Sequence, residues 1–304
     1  MKSFMRLWPV VAAVSIVLTG CSPAVESVPD SAPAEQSQSE ASQPDSNPDL
    51  ASVRTSNLVD AATREEVFAQ LRQAGISQAA LDEFARQVER FNGNVPTSSL
   101  VSEGFVPLSA TEKMDELAII QAAQDKAAPL TNCRITTFTL GRELVTVGKT
   151  DGADDSQLFF DAESIDTPPA IFNAGERDAF MALYGRVPTV AAKDSAQHAK
   201  DIAAYFADHQ ITFTPGKASM VSVFMHDNID PERAAMFVGH VGVLVENEPG
   251  KLLFVEKLAF DQPYRASWFE SRDQLVTYLR SMYDDGPDQD YSQPVIMEND
   301  RVLS

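Results

Sequence analysis

Cysteine is nearly absent: 304 residues hold two, Cys21 and Cys133. That excludes a disulfide framework, and no C-x-x-C or H-E-x-x-H spacing marks a zinc site. Basic residues are also scarce, 24 Lys and Arg against 44 Asp and Glu, for a formal charge of −20. Such a balance repels phosphate backbones and anionic lipid, so nucleic acid and adhesion to an anionic membrane face are excluded as partners. Between Ser22 and Leu50 there is no Lys, no Arg and no aromatic residue, and the segment is mostly Ser, Pro, Ala, Gln and acids. A segment of that composition cannot bury enough apolar surface to offset its chain entropy and is expected to be disordered.

The first residues carry two bases, Lys2 and Arg6, then a short apolar run from Trp8 to Leu18. The run is too short to span a bilayer comfortably and reads as a signal segment. Leu18-Thr19-Gly20-Cys21 follows it and resembles the bacterial lipobox, whose cysteine becomes the acylated first residue of the mature protein. The resemblance implies a signal peptide over 1–20 and a lipidated Cys21 heading a tether over 21–55. The membrane partner is then met through a lipid anchor in the cell envelope. Ser22 rather than Asp after the cysteine resembles the sorting pattern for the outer membrane, facing the periplasm, in a Gram-negative envelope.

Residues 56–304 then read as one domain of α+β class, with helices first and antiparallel strands last. Thr63 and Glu66 have the spacing of a capping box, Gly75 marks a stop, and Ser77 opens a second helix with Leu81, Phe84, Val88 and Phe91 at helical spacing. A third helix is expected from Ser109, ended by Pro129. Asn132 is a good N-cap for a helix led by Cys133, although Thr136, Thr137, Thr139 and Gly141 weaken it. Residues 150–217 read as an insertion, with a helix opened by Asn173 and Glu176. Strands are expected at Met220–Met225, Val241–Val245 and Leu252–Leu258, the last two joined by the turn "ENEPGK". A helix over Ser271–Tyr283 and a closing edge strand over Pro294–Met297 complete the pattern.

With Cys21 acylated, Cys133 has no partner for a disulfide. An oxidising compartment attacks exposed thiols, so this one is either buried as a small hydrophobe or used as a nucleophile. Four histidines are available to activate it. His198 and His209 lie on or beside an amphipathic helix and read as solvent-facing. His240 starts a strand between Gly239 and Gly242, which leave space around it. Glu256 stands inside the apolar run "LLFVEKLAF", where it either points outward beside Lys257 or needs a polar partner. His226, Asp227, Asp230 and Glu232 in "MHDNIDPE" more simply form a turn and a helix start than a metal site, and the acids of 151–155 lack EF-hand spacing. No metal or cofactor is expected.

Asn132-Cys133, His240-Val241-Gly242-Val243 and Phe254-Val255-Glu256 together resemble the papain-like NlpC-type cell-wall amidases and peptidases. Residues 56–283 also resemble an uncharacterised family of bacterial lipoproteins, which implies no activity. The first resemblance implies a papain-like core with Cys133 as nucleophile, His240 as general base and Glu256 as the residue orienting the imidazole. The substrate would be a peptidoglycan peptide or a related amide. One oxyanion donor would be the Cys133 backbone N–H, and the second is not assigned. The chain departs from the pattern: the aromatic, glycine-rich lead-in to the cysteine is missing, Arg134 replaces a small residue, and the 150–217 region must loop out. The alternative is a noncatalytic binding or scaffolding lipoprotein with a degenerate version of the same fold.

Overall fold

The computed structural model describes residues 48–113, 115–124 and 131–303. Cys21, the signal segment, most of the tether and Pro129 lie outside them. The described part is a mixed α+β fold with helices leading and a large antiparallel sheet. The early helices are α1 (Ala61–Gln73), α2 (Gln78–Asn92), α3 (Glu116–Gln124) and α4 (Cys133–Gly141). The cap of α1 is Asp60, whose side chain accepts the Thr63 N–H, so Thr63 is inside the helix rather than at its mouth. Ser77 caps α2 as its spacing predicts, and Gly75 takes the positive φ (98°) of the turn between them. Instead of one helix from Ser109, a 3₁₀ turn over Leu108–Lys113 precedes α3, and Asp115 accepts the Ala118 N–H at 3.0 Å.

Strands β1 (Arg54–Ser56), β2 (Val106–Pro107) and β3 (Val145–Val147) come from the first half. The 150–217 region supplies α5 (Phe159–Asp166), α6 (Ala174–Leu183), β4 (Val187–Pro188), α7 (Ser195–Asp208) and β5 (Ile211–Phe213). The remaining elements are β6 (Ala218–Asp227), β7 (Ala235–Glu248), β8 (Lys251–Lys257), β9 (Tyr264–Phe269), α8 (Arg272–Tyr283), β10 (Val295–Glu298) and β11 (Arg301–Val302). The main sheet runs β11-β10-β6-β7-β8-β9-β1-β2, with β4 pairing β7, while β3 and β5 pair separately. β10 is therefore an inner strand between β6 and β11, not the closing edge. The 150–217 region is also tied into the sheet, because Val187 and Pro188 pair with Met236 and Ala235.

Strand periodicity divides the core between two faces. Val243, Val245, Leu253 and Val255 pack under α1 and α2, whereas Leu244, Leu252 and Phe254 pack under α8. Both faces are covered, which is why "VGVLV" and "LLFV" read as continuous apolar runs. A Cβ on Gly242 would strike the Phe254 ring and the Val255 carbonyl oxygen, and one on Gly239 would strike the Met225 side chain. These glycines make room for their neighbours across the sheet.

Glu298 closes the far side of the sheet. It accepts from Arg272 Nε (2.7 Å), Ser219 Oγ (2.9 Å) and an Arg301 guanidinium nitrogen (2.6 Å), joining α8, β6 and β11. Burial alone would raise its carboxyl, but these donors win and lower it to about 2. Glu298→Gln should cost on the order of 1–3 kcal/mol at pH 7. Because the folded pKa is depressed, that contribution is full above about pH 4.5 and is lost as pH falls through about 2. Urea midpoints of the two proteins should therefore converge on acidification, and a gap independent of pH would refute the assignment.

Candidate functional site

β8 stops at Lys257, and its pairing with β7 ends at Gly242–Glu256. β6 covers one side of β7 to its beginning, so β4 takes the side that β8 has left. α4 meets the same stretch of β7 between them. Arg134 donates to the Val238 carbonyl at 2.9 Å and Thr137 Oγ1 to the Val241 carbonyl at 3.1 Å. Thr139 Oγ1 donates back to the Ile135 carbonyl at 2.9 Å and accepts from Gln87 at 3.0 Å. Two of the threonines that weaken the helix in sequence, Thr137 and Thr139, thus have hydroxyl partners across the core or within the turn. Gly141 lets the Met220 side chain lie against the helix.

The start of α4 is fixed by polar contacts. Asn132 Oδ1 accepts the Ile135 N–H at 2.9 Å, and its amide donates to Asp161 Oδ1 at 2.8 Å. Arg134 holds both Asp161 oxygens, at 3.0 and 2.7 Å, and this carboxylate is fully buried. Asp161 comes from the 150–217 region, and nothing in the sequence singles it out, because it is one acid among many in an acid-rich stretch.

Cys133 is 5% exposed, and His240 and Glu256 are fully buried. A β-bulge falls at Gly239, where Val223 faces His240 while Phe224 faces Val238. His240 Nε2 donates to Glu256 Oε2 at 2.7 Å. His240 Nδ1 has no partner of ordinary hydrogen-bond geometry and lies beside the thiol, whose Sγ is 4.0 Å from the Gly239 carbonyl oxygen. Burial opposes charge on the thiol, but the neighbouring His240 ring, with Arg134 beside it, lowers its pKa. Burial likewise opposes the imidazolium, and Cys133 and Glu256 raise it. Cys133 and His240 thus each favour charge on the other, and Glu256 favours it on the ring.

Glu256 does not point outward beside Lys257; both are fully buried on opposite faces of β8. Its other oxygen accepts from the Tyr278 hydroxyl at 2.6 Å, and that hydroxyl accepts from Arg265 at 2.9 Å. Arg265 is the direct cross-strand neighbour of Glu256. The charged residue inside "YRASWF" is a sequence signal of the same kind as Glu256 and could have been found the same way. Tyr283, at the end of α8, stacks on the His240 ring at 4.6 Å and 18°.

The other histidines correct the solvent-facing expectation. His198 is fully buried, bonded to Thr189 Oγ1 at 2.8 Å and packed at a tilt against the His226 ring, while His209 Nδ1 donates to the Lys149 carbonyl at 2.9 Å. The face of α7 that carries them packs inward with Ile202 and Phe206. Among the described residues no group of three or more His, Cys, Asp or Glu is placed to hold a metal.

No curated protein and no solved structure matches the sequence. One family does, over residues 54–303, nearly the whole of the described chain. The chain belongs to the family described as a domain of unknown function, DUF4300.

Proposed function

We propose that this protein is a cysteine-dependent amidase or peptidase with a papain-like core, held in the bacterial envelope by lipid on Cys21. The observation that carries the reading is one buried thiol at a helix start beside the partnerless Nδ1 of a histidine whose Nε2 is held by a carboxylate. A thiolate there attacks an amide carbonyl, and the tetrahedral oxyanion collapses as His240 protonates the leaving amine. Water, deprotonated by His240, then releases the acyl group from sulfur. The tether and anchor suggest peptidoglycan peptide as the substrate.

A second reading, a noncatalytic binding or scaffolding lipoprotein with a degenerate form of the fold, is favoured by how closed the set is. Cys133 is almost wholly covered, and Tyr283 lies flat on His240. The cavities of about 270 Å³ beside Arg272 and about 420 Å³ beside Trp268 do not reach either residue. Incubation with muropeptides, followed by mass spectrometry, separates the two. Amide cleavage by the wild type and none by Cys133→Ala is the expected result. Saturable binding without cleavage supports the scaffold instead.

A further inference from the structure

An oxyanion formed at Cys133 needs two donors, and the helix start supplies one, the Cys133 N–H, which has no partner inside α4. A second must lie nearby, be fixed, and be unspent in the resting protein. Among the described residues the buried side-chain donors without a partner include Thr136, Tyr184, Arg186 and Arg265. Arg265 stands behind Glu256 and Tyr278, and Arg186 is paired with Asp227 at 2.8 Å. Thr136 lies against Tyr264. Tyr184 remains.

Tyr184 follows α6 directly and is 3% exposed. It belongs to the same apolar cluster as Cys133 and Phe138, and its ring packs edge-on against Phe180 at 4.9 Å. Its hydroxyl has no hydrogen-bond partner, although burying one without a partner is unfavourable. The charged groups within its electrostatic reach are Cys133, Arg134 and Asp161, the thiol foremost. Two idle buried polar atoms thus belong to this site: the Tyr184 hydroxyl, in the apolar cluster that contains Cys133, and His240 Nδ1.

We infer that the Tyr184 hydroxyl is the second oxyanion donor, receiving the negative oxygen that forms when Cys133 adds to a carbonyl. This rests on the reading of Cys133 as a nucleophile. Carbonyl addition gives a carbon–sulfur bond and moves the π electron pair onto oxygen, where the phenol donates without losing its proton. Burial pushes the phenol well above its ordinary value, so it stays protonated where the thiol has already ionised. The role places a catalytic group in the 150–217 region, which supplies neither nucleophile nor base.

Two reagents separate this role from simple support of the thiolate. Iodoacetamide alkylates sulfur by displacement and forms no oxyanion, whereas p-nitrophenyl acetate acylates it through one. Tyr184→Phe should slow acylation about 100-fold or more. It should leave the alkylation rate and its pH profile within about twofold, which also reports an intact fold. The thermal midpoint should not fall, because the lost hydroxyl had no partner. Acylation within about threefold of wild type overturns the inference alone. Equal slowing of both reactions also overturns it, since the phenol would then act on the thiolate. Wild-type protein that alkylates but never acylates overturns the hydrolase reading, and this role with it.

Discussion

His240→Ala should slow alkylation of native Cys133 by iodoacetamide at pH 6.5 by about 30- to 100-fold. In the wild type the thiol is lowered by the imidazolium, which is itself raised to about 9, so the ion pair persists from the depressed thiol pKa up to that limit. Without the ring, burial becomes the dominant influence and drives the thiol upward. At pH 6.5 the thiolate fraction then drops by roughly two orders of magnitude, partly offset because a more basic thiolate is more nucleophilic. Arg134 remains, and the helix start contributes a smaller share. The deficit should shrink only as pH rises above 9, into the range where the mutant thiol ionises unaided. Labelling of native wild type that is undetectable until denaturant is added would show a packing cysteine instead.

The start of this site is legible in sequence because its signals are local. An Asn before an apolar-periodic run caps a helix, and Asn132 does so. A carboxylate inside an apolar strand demands a polar partner, and Glu256 finds His240. What was not legible depends on register and on long-range packing. Sequence spacing cannot set strand pairing, so the place of Arg265 opposite Glu256 appears only once β9 is aligned. Asp161 reaches Asn132 and Arg134, and Tyr184 joins the cluster of Cys133, from a segment that looks peripheral, because nothing in their own neighbourhood reveals which helix face turns inward. His198 shows the same ambiguity from the other side: a histidine on an amphipathic helix looks exposed until a second ring, His226, is seen to cover it.

Arg265→Met should destabilise the protein by about 3–5 kcal/mol while leaving it folded, because it removes one charge from a balanced buried set. As a thiolate, Cys133 joins Glu256 and Asp161 as three negative groups, against His240, Arg134 and Arg265, while Lys257, buried on the opposite face of β8, is held by the carbonyls of Ala259 and Phe260. Every one of the six is buried or nearly so. The guanidinium reaches Glu256 through the Tyr278 hydroxyl, whose bonds of 2.9 and 2.6 Å hold the phenol between the two charges. Methionine fills much of the arginine volume, so a cavity is not the main cost. The cost is an uncompensated negative charge in a buried space. The easiest relief is uptake of a proton, and the group that yields most readily is the thiolate. The substitution should therefore raise the pH midpoint of Cys133 alkylation as well as lower the urea midpoint. Tyr278→Phe provides the contrast, since it removes the bridge but keeps the charge count. Its alkylation midpoint should move less than that of Arg265→Met. If Arg265→Met unfolds at the wild-type urea concentration and labels with an unchanged pH midpoint, the six charges are not coupled. Glu256 would then orient His240 without stabilising its charge.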